Sequence, residues 1–322
     1  MGVNPYVFIV GCPRSGTTLL RRMVDAHPQL AITPETHWIP RLYRMRAGLS
    51  DDGRVSGELI AALRAERRFP KLGVQAEWLE QLLAADGPLS YAQVVSAIFD
   101  LYGQRRGTEL VGDKTPSYVR HIDLLHDLWP QARFVHLVRD GRDVCLSALS
   151  WTRMAERFRR RFPTWDEDPV TTAALWWRWN VAIGRQAGAR LGPDRYHEVR
   201  YEALVEHPAA ECRRLCAFLG VAYAGTMLHF HEGRTRTDPG LSSKRAWLPP
   251  TPGLRDWRTQ MPPEAIERFE AVAGDLLDDL GYERGVPTPR RERLQHAAKA
   301  RQAFREDMVA RSRTRPLPRA CP

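Results

Sequence analysis

Apolar and polar residues alternate along this chain in two rhythms. A short unbroken apolar run at residues 6–10 (YVFIV) and a largely apolar stretch at 133–138 (RFVHLV) read as buried strands. Residues 109–111 and 195–200 also read as strands. Between them, apolar residues recur at three- and four-residue spacing over 17–27, 56–66, 76–84, 90–104, 117–128, 142–149, 171–191, 208–219 and 263–280, which predicts helices. Strands that alternate with helices predict an α/β fold, a central parallel sheet with helices on both faces.

The pattern breaks in three places. Residues 151–170 are polar and rich in arginine and read as an insertion. Residues 233–263 are rich in Gly, Pro and Ser and read as an irregular loop. After residue 284 the apolar periodicity gives way to charge. The expected organisation is one domain over 1–284 and a basic C-terminal extension over 285–322. No apolar run is long enough to span a bilayer and the N-terminus shows no export pattern, so a cytoplasmic location is expected.

Of the net charge of +10, most belongs to residues 285–322, which hold ten Lys and Arg against three acids. Such a tail suits nucleic acid, an anionic membrane surface or a solvated extension; the extension is favoured, and no nucleic-acid partner is expected. The five cysteines fit no metal-ligand spacing and read as reduced thiols packed like small hydrophobes. His229 and His231, two residues apart, do not make a metal site either, and no metal is expected. Trp176, Trp177 and Trp179 crowd one helix and are expected in the core.

The first chemical signal lies at residues 11–18 (GCPRSGTT), between the first strand and the first helix. A strand, a tight loop and a helix N-terminus aim backbone N–H groups and the helix dipole at one point, which favours a phosphate. The G-x-x-x-x-G spacing is that of a P-loop, but Thr17 stands where the lysine of an NTPase belongs. Arg14 supplies positive charge instead. The missing lysine argues against a P-loop kinase or NTPase, which stays as the alternative reading. A non-catalytic nucleotide-binding module is the other.

The same stretch, with the following LLRRMVDAHPQLAITPETHWIPRL, resembles the donor loop of sulfotransferases that use 3′-phosphoadenosine 5′-phosphosulfate (PAPS), and is especially similar to tyrosylprotein sulfotransferases and related bacterial enzymes. A second match, FVHLVRDGRDVCLS at 134–147, resembles the family's 3′-phosphate motif, and VRYEALV at 199–205 resembles the strand-to-helix turn that follows. The resemblance implies a P-loop NTPase-like sulfotransferase fold, PAPS as co-substrate and adenosine 3′,5′-bisphosphate as product. It implies that Arg14, Ser15, Gly16, Thr17 and Thr18 grip the 5′-phosphosulfate, that Arg139 and Ser147 hold the 3′-phosphate, and that Tyr201 lies near the adenine. Arg139 ends a strand and Ser147 lies two turns into the next helix, so both can face one anion. An ion pair of Arg139 with Asp140 or Asp143 is the plainer alternative.

In-line sulfuryl transfer needs a base for the acceptor proton and cations for the oxygens around sulfur. Glu35 is the candidate base, at the place where the resemblance puts a catalytic glutamate; His37 is its rival. Lys114, which follows a short strand, is expected to project from the carboxyl edge of the sheet where α/β folds bind ligands, and the resemblance gives it the leaving oxygen. Residues 241–245 (LSSKR) are expected to cover the donor, with Ser243 or Lys244 touching it; GLRDW at 253–257 resembles the late cofactor loop. The acceptor is a hydroxyl or amine of a small molecule, carbohydrate, lipid or peptide tyrosine, drawn into residues 38–105, 151–170 and 233–255. Tyrosylprotein sulfotransferases are membrane-anchored and lumenal, and no anchor is visible here. Both a monomer and a homodimer remain open.

Overall fold

The computed structural model describes residues 4–313 apart from 86, 88 and 233–247. Five strands, β1 (Val7–Gly11), β2 (Leu30–Thr33), β3 (Leu110–Lys114), β4 (Arg133–Val138) and β5 (Tyr196–Arg200), form one sheet in the order β2-β3-β1-β4-β5. Every pairing is parallel. A parallel sheet is covered on both faces, which explains the unbroken apolar runs. Alternate residues of β1 feed two cores. Tyr6, Phe8 and Val10 pack with Phe99, Trp129 and Phe134 on one side, while Val7 and Ile9 pack with Leu20, Met23, Val135 and Leu137 on the other.

Fourteen helices are described: α1 (Thr17–Asp25), α2 (Ile39–Arg44), α3 (Gly57–Arg64), α4 (Ala76–Ala85), α5 (Tyr91–Gln104), α6 (Ile122–Leu128), α7 (Gly141–Leu149), α8 (Thr152–Arg161), α9 (Pro169–Leu191), α10 (Tyr201–Glu206), α11 (Pro208–Leu219), α12 (Trp257–Gln260), α13 (Pro263–Asp279) and α14 (Arg291–Arg313). Their ends follow local chemistry. Ser90 caps α5 in a full capping box with Gln93. Asp168 caps α9, which has Pro169 in its first turn. Trp176 and Trp177 are buried, and Trp177 Nε1 donates to the Arg139 carbonyl at 3.0 Å, fixing the end of β4.

The structure departs from the sequence reading at several points, among them the short helices α2, α10 and α12, the last inside the expected irregular loop. β2 is a strand of four residues that the pattern did not announce; its LAIT run is too short to show a period. Residues 152–161 of the expected insertion are helical, with Met154 and Phe158 buried beneath the arginines. The basic extension, expected to be solvated, contains α14, which packs on the domain through buried Ala297 and through Phe304, stacked on Phe162 with ring centroids 5.6 Å apart. Ala297, Ala300, Phe304 and Met308 form an apolar stripe at helical spacing, which a count of charges conceals. Cys12, Cys145, Cys212 and Cys216 are buried thiols.

Candidate functional site

The loop after β1 is shaped by close approach. A Cβ at Gly11 would lie 2.5 Å from the Leu137 carbonyl oxygen, and one at Gly16 would lie 2.4 Å from the Tyr201 ring. Gly16 also has φ of 99°, a left-handed conformation that glycine adopts without penalty. The Ser15 N–H donates to the Cys12 carbonyl and closes the turn. Gly16 caps α1 with no side-chain hydrogen bond, and no acidic residue stands in the first turn. The N–H groups at the start of α1 therefore retain their preference for an anion. Ser15 Oγ is fully buried and has no partner among the described residues, so it too is available to one.

Beside this loop lies a cleft of about 320 Å³, lined by Arg14, Gly16, Thr17, Thr18, Arg139, Ser147, Tyr201 and the segment from Leu248 to Arg255. Arg139 rises from the end of β4, with its guanidinium 4.2 Å above the Tyr201 ring. It meets Asp143 Oδ2 at 3.2 Å, so the ion pair foreseen as the plainer alternative is present, but it is buried inside the cleft. Arg139 Nε is buried without a partner among the described residues. Arg14 Nε donates to Ser147 Oγ at 2.9 Å, and its guanidinium lies 4.4 Å from the Trp151 ring centroid. Arg14 thus reaches the place expected of the 3′-phosphate as well as sitting in the loop.

Arg255 adds a third cation, donating to Ser150 Oγ at 2.9 Å. Burial, then repulsion from Arg255 and Arg139, brings Arg14 down to about 10. Asp143 opposes them, and burial raises it to about 6 despite Arg139. It also accepts from the Trp257 N–H at 3.0 Å, which ties the 248–257 segment to the cleft.

The second half of the site follows from strand register. Thr33 of β2 lies opposite Asp113 of β3, so the chain leaving β2 brings Glu35 beside Lys114. The segment is pinned at each step: Thr33 Oγ1 donates to Asp113 Oδ2 at 3.0 Å, the Thr36 N–H donates to Thr115 Oγ1 at 3.0 Å, and the Ile39 N–H donates to Tyr118 Oη at 3.2 Å. Glu35 then collects three partners. Lys114 Nζ lies 2.6 Å from Oε1, while Arg68 Nη1 at 3.1 Å and His37 Nε2 at 3.0 Å share Oε2. Burial alone would raise the Glu35 pKa, but the hydrogen bond from His37 and the charge of Lys114 hold it well below the usual carboxylate range. Burial lowers the buried Lys114 amine, opposed by Glu35. Lys114 also points at Thr18 Oγ1, 3.5 Å away, which joins the two halves.

Most of the residues singled out from sequence therefore meet. Arg14, Ser15, Gly16, Thr17, Thr18, Arg139, Ser147 and Tyr201 surround the cleft or its loop, and Glu35, His37 and Lys114 stand at its end. Ser243 and Lys244 lie outside the described residues. Arg68 escaped the sequence reading because a single arginine in a polar run, 33 residues from its partner, carries no local signal. Arg255 belongs to the GLRDW stretch but had not been singled out.

The chain matches the sulfotransferase family over residues 5–225. It is 27% identical over 294 residues to protein-tyrosine sulfotransferase A of Caenorhabditis elegans, covering 89% of this chain and 69% of that one. It is 29% identical over 287 residues to protein-tyrosine sulfotransferase 1 of Danio rerio, covering 87% and 72%. Nodulation protein NoeE of Sinorhizobium fredii is 28% identical over 312 residues, covering 91% and 68%. Among solved structures, the sulfotransferase domain of the Synechococcus PCC 7002 olefin synthase superposes with a TM-score of 0.58 at 28% identity, covering 87% of this chain and 95% of that one.

These matches correct the expected cytoplasmic location. They fall on protein-tyrosine sulfotransferases, for which the resemblance implies a membrane-anchored, lumenal setting. The expectation rested on missing apolar runs, and these describe only the stretch of chain in hand. Among the described residues no helix is long and apolar enough to cross a membrane.

Proposed function

This chain belongs to the sulfotransferase family, and from that premise we propose that it moves a sulfuryl group from PAPS to a hydroxyl or amine acceptor, leaving adenosine 3′,5′-bisphosphate. One observation carries the reading. Four neighbouring strands each deliver one functional group at their carboxyl ends: Glu35 after β2, Lys114 on β3, the phosphate loop after β1 and Arg139 after β4.

In this reading the loop N–H groups, Ser15 and Thr17 hold the 5′-phosphosulfate. Arg139 and Ser147 hold the 3′-phosphate. Arg14, bonded to Ser147, braces both. The buried, unpartnered Ser15 Oγ and Arg139 Nε fit such a ligand, since each would otherwise lack a hydrogen bond. Tyr201 supplies a flat apolar wall for the base and Arg255 adds charge at the 3′ end.

The acceptor oxygen attacks sulfur as the bond from sulfur to the 5′-phosphate oxygen breaks, and the acceptor proton passes to the Glu35 carboxylate. Lys114 neutralises the departing oxygen. Its contact with Glu35 gives it a second effect. As Lys114 turns toward the leaving oxygen, Glu35 loses a cation and becomes a stronger base. His37 and Arg68 hold the carboxylate in place. The acceptor is a peptide tyrosine, as the relatives' names suggest, or a small-molecule hydroxyl. Residues 1–284 form the catalytic unit, and the basic segment after them braces it.

Calorimetric titration tests the donor class. Tight binding of adenosine 3′,5′-bisphosphate without metal, and weak binding of AMP and Mg·ATP, is expected. A preference for Mg·ATP would overturn the reading in favour of a kinase-like enzyme.

A further inference from the structure

We propose that Trp151 is a positioning residue for the donor: its indole holds Arg14 where the nucleotide phosphates bind, and α14 holds Trp151 in turn through α8. This deepens the sulfotransferase reading and rests on it.

Arg14 is held in an unusual way. Its backbone φ is 82°, a left-handed conformation that a non-glycine residue keeps only where its surroundings fix it. No carboxylate is ion-paired to Arg14 among the described residues, and the charges of Arg255 and Arg139 repel it. Its guanidinium is fixed instead by the Ser147 hydroxyl at 2.9 Å and by the Trp151 ring, 4.4 Å from the charge to the centroid. The hydroxyl is neutral, so the face of the indole is what offsets two neighbouring cations. In the donor reading Ser147 also serves the 3′-phosphate. Once the nucleotide is bound that hydroxyl is shared, and the ring is the contact that Arg14 keeps to itself.

Trp151 sits at the junction of two helices, between the end of α7 at Leu149 and the start of α8 at Thr152. Its N–H donates to the Ala148 carbonyl at 3.3 Å, and its own carbonyl accepts from the N–H groups of Met154 and Ala155 at 2.9 and 3.1 Å. The ring therefore moves only with both helices. The buried residues of α8 are Met154 and Phe158, and the rest of the helix is rich in charge. Phe158 stacks on Trp165 with centroids 4.4 Å apart and meets Trp176 edge-on at 4.9 Å. The far end of α8 is closed by α14. Phe304 stacks on Phe162, and Arg311 Nη2 donates to the Arg161 carbonyl at 2.9 Å.

α14 is anchored elsewhere, so it can act as a brace. Just before it, Glu267 of α13 accepts from the Arg290 N–H at 2.8 Å and from the Arg290 guanidinium at 2.6 and 3.0 Å. Arg301 donates to the Val272 carbonyl at 3.2 Å, and Ala297 is buried. Direct contacts thus run from α13 through α14 and α8 to the indole beside Arg14. Cation–π attraction needs the charge over the ring face, so a shift of α8 that turns the ring releases Arg14. A contiguous path carries coupling only if loosening one end is felt at the other, which double-mutant cycles measure.

The test is calorimetric titration of the full chain with adenosine 3′,5′-bisphosphate. Trp151→Leu keeps apolar bulk at a half-buried position and removes the π face; affinity is expected to fall about fivefold or more. Trp151→Phe, which keeps a ring, should retain most of it. In an Arg14→Gln background, Trp151→Leu should cause no further loss, because the indole acts through that guanidinium. Phe304→Ala should weaken binding about threefold in the otherwise unaltered chain and not at all beside Trp151→Leu; Phe304→Leu takes its place if the alanine variant does not fold. Wild-type affinity in Trp151→Leu, an equal loss in Trp151→Phe, or losses that simply add with Arg14→Gln would overturn the role of Trp151. A Phe304 effect that adds to that of Trp151→Leu would overturn the role of α14. If the unaltered chain binds no bisphosphate, the sulfotransferase reading falls instead.

Discussion

Lys114 Nζ stands 2.6 Å from Glu35 Oε1, across the join between two neighbouring strands. The pair is built by register: Thr33 opposite Asp113 leaves the next residues of each strand side by side at the sheet edge. The lysine side chain is 6% exposed and the glutamate 25%, so the acid faces outward, where an acceptor can reach it.

Glu35→Gln keeps the shape of the carboxylate and removes its basicity. Turnover is expected to fall by roughly 10²–10⁴-fold while affinity for adenosine 3′,5′-bisphosphate stays near the wild-type value. Single-turnover kinetics and calorimetry measure the two quantities separately. A loss smaller than that seen for His37→Gln would move the base role to the imidazole.

Arg139→Ala removes the guanidinium that lies over Tyr201 and meets Asp143. The variant should bind adenosine 3′,5′-bisphosphate far more weakly and bind adenosine 5′-phosphosulfate nearly as before. Competition binding with the two nucleotides reads the difference. An equal loss for both would show that Arg139 does not sense the 3′-phosphate.

Gly16→Ala forces a left-handed φ of 99° on an L-residue and drives its methyl to 2.4 Å from the Tyr201 ring. The backbone term alone is about 1–2 kcal/mol. A lower melting temperature and at least a tenfold loss of bisphosphate affinity are expected. Adding Tyr201→Ser should recover part of the lost melting temperature by relieving the collision, but not the affinity, because the Tyr201 ring also lines the cleft. Wild-type affinity in the single variant would mean that the loop has room to shift.

Asp113 gives the stability a pH dependence of its own. Its ordinary pKa is 3.8, and burial raises it to about 6 in the folded protein, against hydrogen bonds from Thr115, Thr33 and Thr36. Between those values the folded state keeps the proton and the unfolded chain has lost it. The stabilisation is therefore complete below pH 3.8 and is lost as the pH rises through about 6. Asp113→Asn cannot ionise, so wild type should lose on the order of 2–3 kcal/mol relative to the variant between acid and neutral pH. Urea melts of both proteins at the two pH values measure it. An unchanged difference would mean that Asp113 ionises normally.

Much of this was legible in the sequence because it is local. β4 and α11 lie where the apolar pattern placed them, and the phosphate loop is fixed by glycines five residues apart. Lys114 and Arg139 were readable because each stands close behind a stretch that reads as a strand. Contacts made across the fold were not. Arg68 on Glu35, Asp143 on the Trp257 N–H and Trp151 beside Arg14 join segments far apart in the chain, and only tertiary packing brings them together. β2 was missed because four residues do not make a period. The arginines of α8 concealed an amphipathic helix for a related reason: the charges dominate the composition, while Met154 and Phe158 alone set the buried face.

The strand order also fixes when the donor loop can exist. β1 lies at the centre of the sheet, yet its partners begin at Leu110 and Arg133, more than a hundred residues later in the chain. Parallel pairings at that separation form slowly and late. Residues made well before their partners are thus among the last to take their shape, because Gly11 packs on the Leu137 carbonyl and Gly16 on Tyr201. During synthesis or refolding, the ability to hold a nucleotide should return only with the final phase, and capture of the nucleotide would report that the whole sheet has closed.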